Sequence, residues 1–201
     1  MEKEYRSLNI ESKEENGELI LEGYAITFSK PTLIGDEKRG FYEEIAPNAL
    51  DETDLKDVPF KWNHSDTPFV LARTRNKSLE LKVDEHGLFI RAKLLPNVQQ
   101  HRDVYELVKS GLVDRMSFAF TIGEQKIDRS GNLPRRIITK IDKLFDVSAV
   151  TTPAYDSTEL HARSLEIVEQ EISSLDKEEL EKRNSEVELE KLKTKIRLSL
   201  I

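Results

Sequence analysis

Alternation of apolar and polar residues at a period of two runs through the first three quarters of the chain and predicts strands. Residues 19–28, LILEGYAITF, are rich in strand formers around a central glycine, which indicates a strand with a bend or bulge. Residues 77–94 hold two alternating runs, SLELKV and LFIRAKL, joined by DEHG, and predict a hairpin. The pattern returns at residues 115–125 and 135–150, on either side of a turn at 128–132. This part of the chain is therefore predicted to be mainly β.

Three shorter segments connect these strands. Residues 29–40 carry proline, glycine and charge, and they predict a loop. Residues 41–50, FYEEIAPNAL, predict a strand that turns at Pro47 into a short helix. Residues 58–64, VPFKWNH, predict a further strand, entered through Pro59.

One helix is predicted within this β region, over residues 97–111. Its apolar residues recur at roughly helical spacing: Val98, Val104, Leu107 and Val108. Asn97 is the predicted cap and Gly111 the predicted end of the helix.

The character of the chain changes after about Glu159, where glycine and proline disappear and Glu, Lys and Leu dominate. Apolar residues follow three–four spacing in two groups: Leu165, Val168, Ile172 and Leu175, then Leu189, Leu192 and Ile196. Between the groups the pattern breaks at residues 181–186, EKRNSE. We expect one or two amphipathic helices, acting either as a solvated extension or as an assembly helix that self-associates in a short coiled coil. The predicted domains are residues 1–158 and this charged tail, 159–201.

Composition narrows the class of protein. A chain of 201 residues suits one domain with an appendage. The formal net charge of −7 argues against a nucleic-acid-binding surface, and the lack of cysteine excludes disulfides, thiolate catalysis and cysteine–zinc sites. No apolar run approaches the ~20 residues that span a bilayer, and the charged start, MEKEYRSLNI, lacks a signal-peptide core. We therefore expect no nucleic acid or membrane partner, and a protein that works where it is made.

The chain has four histidines, and His64 differs from the other three. His86 falls in the predicted hairpin turn, His101 on the predicted helix and His161 at the start of the tail, and we expect each to be an exposed polar residue. Their spacing matches no zinc-peptidase pattern, so no metal site is expected. His64 ends a predicted strand, from which an imidazole can project into a cleft while its backbone stays fixed.

Ser117 and Asp146 are the other candidates for chemistry. If Phe118 and Phe120 face the core, the period of two turns Ser117 to the opposite face with Ala119, where a small hydroxyl leaves space for a substrate. Asp146 precedes an apolar strand end and is placed to orient a histidine. On spacing alone, an ordinary surface position on a strand is the better explanation of each of these two residues.

The order of five stretches along the chain favours a catalytic role for these residues over the surface explanation. FYEEIAPNAL, KWNHSDTPF, the hairpin with its glycine-ended helix, RMSFAF and DVSAVTTPAY together resemble the tailed-phage prohead protease family over roughly residues 5–160. The resemblance implies a catalytic His64 and Ser117, with Asp146 as the third member. It also implies a β-barrel core flanked by helices, no cofactor, and self-cleavage at the end of maturation. The distantly similar herpesvirus maturation proteases use a second histidine as third member, and none is present near residue 146.

These residue types suit acyl transfer. A serine hydroxyl is a weak nucleophile until a base takes its proton, and an imidazole, which ordinarily titrates near pH ~6.5, serves as that base. The absence of a G-x-S-x-G elbow disfavours an α/β-hydrolase. Backbone amides of the TTPAY segment, around Pro153 and Ala154, are the predicted oxyanion donors and substrate-binding groups. Arg115 is read as a surface strand residue in preference to a site for acidic substrate segments.

The sequence therefore predicts a serine endopeptidase that cleaves capsid and scaffold proteins, and itself, inside an assembling phage prohead in the host cytoplasm. The tail would dock onto scaffold or capsid subunits. Two alternatives stay open at this point: a catalytically inactive scaffold or assembly factor of the same fold, and another hydrolase, such as an esterase or a metal-dependent peptidase.

Overall fold

The computed structural model describes residues 4–38, 40–65, 70–151 and 158–199. The chain divides into two compact units, Met1–Ala162 and Arg163–Ile201, and each is described here by itself.

The first unit is mainly β. Its described strands, in chain order, are β1 (Glu4–Asn9), β2 (Glu11–Glu15), β3 (Glu18–Thr27), β4 (Thr32–Ile34), β5 (Phe41–Ile45), β6 (Pro59–Trp62), β7 (Val70–Arg73), β8 (Leu79–Val83), β9 (Gly87–Leu94), β10 (Arg115–Asp128) and β11 (Arg135–Val150). Helix α1 (Gln99–Lys109) lies between β9 and β10, and a turn of 3-10 helix, Thr74–Asn76, follows β7. A second helix, α2 (Thr158–Ser199), begins in this unit and forms most of the other.

Two sheets contain these strands. The larger has the order β1-β10-β11-β5-β4, with β6 paired to β11 and β7 paired to β6. The smaller has the order β2-β3-β9-β8. Strand β11 is long enough to pair with β10 along one side and, in parallel, with β5 near its start and β6 near its end along the other.

The hydrophobic core takes side chains from both sheets and from α1. Leu21 and Ile90 come from the smaller sheet, Phe118 and Val147 from the larger, and all four are almost fully buried. Helix α1 adds Val104 and its neighbours on the same face. Among the described strands we find two sheets and no closed ring, so the expected barrel is not confirmed and stays a prediction.

Most of the strand predictions are confirmed. Strand β3 shows the expected irregularity, a register shift between Tyr24 and Ile26 against β9. The hairpin of β8 and β9 forms as expected, and residues 135–150 form a single strand, β11.

Three local predictions are wrong. The expected loop 29–40 includes the short strand β4, which pairs with β5. Residues 47–50 form turns instead of a helix, because the chain is pinned there by the bond from Ala49 N–H to Ala46 O and by burial of Leu50. Asn97 does not cap α1, since residues 95–98 form a turn and the helix starts one position later, behind Val98.

The tail is one continuous helix through residues 181–186, where the apolar pattern breaks. Glu, Lys and Arg are good helix formers, so the loss of apolar periodicity there does not end the helix. Among its side chains that the structure describes, those of residues 168–193, the exposed large apolar ones are Leu180, Val187, Leu189 and Leu192. None of the helices within the described residues is long and apolar enough to cross a bilayer.

Gly23 marks a place where the two sheets approach closely. A Cβ at this position would lie 2.6 Å from the carbonyl oxygen of Asn9 and 3.0 Å from Cε of Met116. Gly23→Ala is therefore expected to lower the free energy of unfolding by about 1–3 kcal/mol, measured by urea denaturation.

The control for this substitution is Gly131→Ala, since a Cβ there would meet its nearest neighbour at an ordinary 3.4 Å. We expect it to change stability by no more than about 0.5 kcal/mol. Equal stability of the Gly23 variant and the wild type would contradict the close approach.

Candidate active site

His64 lies in a tight turn immediately after β6. Asn63 and His64 both have left-handed backbone conformations, with φ of 48° and 55°. Such conformations cost energy for residues other than glycine and persist where the surrounding structure holds them. The structure supplies that support, because Asn63 N–H donates to Ala149 O at 2.9 Å and His64 N–H donates to Ser148 Oγ at 3.2 Å.

The side chain of Asn63 adds a further tie. Its Oδ1 accepts hydrogen bonds from the backbone N–H of Thr151 at 2.9 Å and from the Thr151 hydroxyl at 3.3 Å. The turn is therefore fastened to the end of β11 over several consecutive residues, and the direction of the His64 side chain is set by that strand.

Asp146 lies on β11 and is almost fully buried, at 2% exposure. Its Oδ1 lies 2.5 Å from Nδ1 of His64, although the two residues are 82 positions apart in the chain. Parallel pairing of β6 with β11, with Phe60 opposite Val147 and Trp62 opposite Ala149, brings them together. A carboxylate on Nδ1 favours the tautomer whose proton is on that nitrogen, which makes Nε2 the proton acceptor.

Ser117 lies on β10, the strand on the other side of β11. It pairs directly with Ser148, and side chains at directly opposite positions of antiparallel strands lie on one face with Cβ atoms about 5 Å apart. Ser148 Oγ in turn lies 3.2 Å from His64 Nδ1. The structure thus brings His64 and Asp146 into contact and sets Ser117 on the adjoining strand beside them.

Ser117 is not an exposed strand residue. It is 1% exposed, and among the described residues its Oγ is a buried atom with no hydrogen-bond partner. An unpaired buried hydroxyl costs free energy, so such an atom calls for an explanation. One explanation is that this hydroxyl serves as a nucleophile, which makes its hydrogen bond only during the reaction with substrate.

Lys61 reaches the other oxygen of Asp146. Its Nζ lies 3.6 Å from Oδ2, and its side chain is only 11% exposed. Burial acts to raise the pKa of Asp146, but the hydrogen bond and charge of His64, the hydrogen bond from Ser148 and the charge of Lys61 outweigh it and leave that pKa below its ordinary value. Asp146 is therefore ionised at neutral pH.

Pro153 and Ala154, the predicted oxyanion and substrate-binding residues, lie outside the described residues, and their role stays a prediction.

The other histidines are accounted for by the fold where it describes them. His86 is exposed in the hairpin turn, as expected. His101 is buried, contrary to expectation, because it faces inward on α1 and its Nδ1 accepts a hydrogen bond from Leu95 N–H at 3.0 Å. The side chain of His161 lies outside the described part of the tail. Arg115 is exposed and donates to Asn9 Oδ1 at 3.0 Å, which fits a surface strand residue.

Sequence reasoning missed two residues of this site, Ser148 and Lys61. The period of two was a usable signal for Ser148, because it puts residue 148 on the same face of β11 as Asp146. Lys61 had no such signal, since its contact depends on the parallel pairing of two strands that are distant in sequence.

Comparison with known proteins places the chain in a family. The model of the caudovirus prohead serine protease family matches residues 6–171, and the chain belongs to that family. Its resemblance to prohead proteases, expected from the sequence, is confirmed. Among solved structures, the capsid assembly protease of bacteriophage T4 is similar with a TM-score of 0.40 and 12% identity, over 73% of this chain and 98% of that one. No curated protein matches the chain.

The lowered pKa of Asp146 makes a prediction about stability and pH. A carboxyl group whose pKa is lower in the folded than in the unfolded protein stabilises the fold above its unfolded value of about 3.9. That contribution is lost as the pH falls through the folded pKa. In urea denaturation between pH 7 and strongly acidic pH, we expect Asp146→Asn to be less stable than the wild type at neutral pH, with a difference that shrinks below about pH 4.

Asp142→Asn, which removes a carboxylate from an exposed position of the same strand, is the control. A gap between Asp146→Asn and the wild type that stays constant with pH would contradict the proposed ionisation.

Proposed function

We propose that this protein is a serine endopeptidase that cleaves capsid and scaffold proteins, and itself, during maturation of a phage prohead. Ser117 is the nucleophile, His64 the general base and Asp146 the residue that orients the imidazole. The observation that carries the proposal is the 2.5 Å contact between His64 Nδ1 and Asp146 Oδ1 beside the strand of Ser117. Membership of the prohead protease family supports the proposed substrate class and the proposed place of action, inside the assembling capsid in the host cytoplasm.

The chemistry follows from the roles of these groups. As Ser117 Oγ attacks the carbonyl carbon of the scissile peptide, its proton passes to His64 Nε2, and the Asp146 carboxylate stabilises the imidazolium. The tetrahedral intermediate collapses when the imidazolium gives that proton to the leaving amine, which leaves the acyl group on Ser117 Oγ. A water molecule then attacks the acyl carbon and gives a proton to His64 Nε2. The second tetrahedral intermediate breaks the ester bond to Ser117 Oγ, which takes the proton back from Nε2 as the new carboxyl end of the substrate leaves.

The intermediate carries a negative oxygen that needs hydrogen-bond donors. We place these donors in the segment that follows Thr151. Of the two residues expected there, Pro153 has no backbone N–H, so the Ala154 amide is the donor of that pair. No metal or cofactor has a role in this mechanism.

The inactive-scaffold alternative shares the fold but not the chemistry. Its distinguishing property would be an unreactive Ser117, and the contact of the ionised Asp146 carboxylate with His64 Nδ1 gives no support to that alternative. A comparison of the wild type with Ser117→Ala tests both the peptidase proposal and the scaffold alternative.

Ser117→Ala is expected to abolish proteolysis. Intact-mass spectrometry after co-expression with the major capsid protein of the same phage should show shortened capsid protein and shortened protease for the wild type alone. In a quantitative assay on assembled proheads we expect a fall of at least about 10³-fold.

Ser130→Ala, in an exposed loop, is the matched control and should cleave like the wild type. Full-length masses for the wild type both in co-expression and in proheads would instead support the scaffold alternative.

The tail, residues 159–201, is proposed to dock the protease onto capsid or scaffold subunits, or onto a second copy through α2. Its exposed apolar residues on a highly charged helix support this role. Truncation after Asp176 keeps the whole of the family match, residues 6–171.

We expect this truncated protein to keep peptidase activity on a soluble substrate and to lose incorporation into proheads by at least tenfold, roughly 1.4 kcal/mol or more of docking free energy. Incorporation is measured by quantifying the protease in purified proheads. Undiminished incorporation would refute a docking role for residues 177–201, the part of the tail that carries Leu180, Val187, Leu189 and Leu192.

A further inference from the structure

Two buried serines lie opposite each other in this site, and their surroundings differ. Ser117 Oγ has no hydrogen-bond partner among the described residues, whereas Ser148 Oγ has three polar neighbours. We propose that Ser148 is a positioning residue: its single hydroxyl holds the backbone of His64 and the carboxylate of Asp146 in one arrangement. The activity part of this inference rests on the proposed function.

The proton count of the hydroxyl decides the direction of its bonds. Ser148 Oγ lies 2.8 Å from Asp146 Oδ1, which only accepts, and 3.2 Å from the backbone N–H of His64, which only donates. The hydroxyl therefore gives its one proton to Asp146 and receives the proton of the His64 amide.

A consequence for the imidazole follows. Ser148 Oγ lies 3.2 Å from His64 Nδ1, but its proton is already committed to Asp146, so it does not donate to that nitrogen. Nδ1 keeps its own proton and gives it to Asp146 Oδ1 at 2.5 Å. This fixes the tautomer in which Nε2 accepts the proton of the nucleophile.

The backbone of His64 needs this hold. Its φ of 55° lies in the left-handed region, which costs free energy for any residue other than glycine. The preceding Asn63 lies in the same region, with a φ of 48°. The bonds of Asn63 to Ala149 and Thr151 fasten the first half of the turn. The bond to Ser148 fastens the amide of His64 itself.

The same contacts explain which serine is the nucleophile. Ser148 Oγ is engaged on both its donor and its acceptor side, so its proton is not available to His64. Ser117 Oγ, opposite it on β10, is not engaged in this way. Ser148 therefore positions His64 and Asp146, and Ser117 is the serine that reacts.

The test compares Ser148→Ala, Ser148→Thr and the control Thr121→Val, which removes another buried hydroxyl from β10. In protein labelled with [¹⁵N]histidine, NMR detects the Nδ1–H proton of His64 and its protection from exchange with water. We expect this signal in the wild type and in Thr121→Val, its loss in Ser148→Ala, and its recovery in Ser148→Thr, which keeps the hydroxyl.

The kinetic part uses a peptide that spans a cleavage site of the capsid protein. Ser148→Ala should lower kcat roughly 10- to 100-fold with little change in KM, because a hydrogen bond to a charged group is lost while substrate contacts stay. Ser148→Thr should recover at least part of that loss.

Unchanged NMR signal and kcat in Ser148→Ala would overturn the proposal, and so would an equal loss in Thr121→Val. An inactive wild type that still shows the Ser148-dependent signal would refute the peptidase function and leave the positioning role intact, so the two failures are distinguishable.

Discussion

A buried carboxylate is stable only where neighbouring groups compensate for its lost hydration, and Asp146 is such a group at 2% exposure. Its two oxygens are served by different partners. Oδ1 receives His64 and Ser148, and Oδ2 faces Lys61. The compensation requires strands β6 and β11 to lie side by side, so the electrostatics of one side chain and the pairing of the sheet depend on each other.

Strand β11 is the element that makes this pairing possible. It carries Asp146 and Ser148, and it lies between β10, which carries Ser117, and β6, which leads into His64. Every candidate group among the described residues is therefore placed by β11 or by a strand hydrogen-bonded to it. A site built on paired strands is held more closely than one built on loops, and the strained turn at Asn63 is fastened to the same strand.

How much of the structure can be predicted from the sequence depends on how far apart along the chain the residues that determine each feature lie. The period of two predicts β3, the β8–β9 hairpin, β10 and β11, because alternation records which face of a strand is buried. The roles of His64, Ser117 and Asp146 come from a resemblance in the order of five stretches, because spacing alone favours an ordinary surface position for Ser117 and for Asp146. The sequence pattern does not predict features that depend on residues distant in the chain, such as the contact of Lys61 with Asp146 and the burial of His101. Other features depend on which of two local structures forms. Residues 95–98 form a turn, so α1 starts after Val98 and Asn97 is not its cap.

The central claim is that Asp146 and His64 activate Ser117, and the most direct measurement is the rate at which a phosphonofluoridate, a reagent for activated serine hydroxyls, modifies each serine in proheads. Peptide mass spectrometry locates the adduct. The account predicts one fast-reacting serine, Ser117, whose modification slows by orders of magnitude in His64→Ala and Asp146→Asn. Modification of a different serine, or a Ser117 rate that is the same in all three proteins, would contradict it.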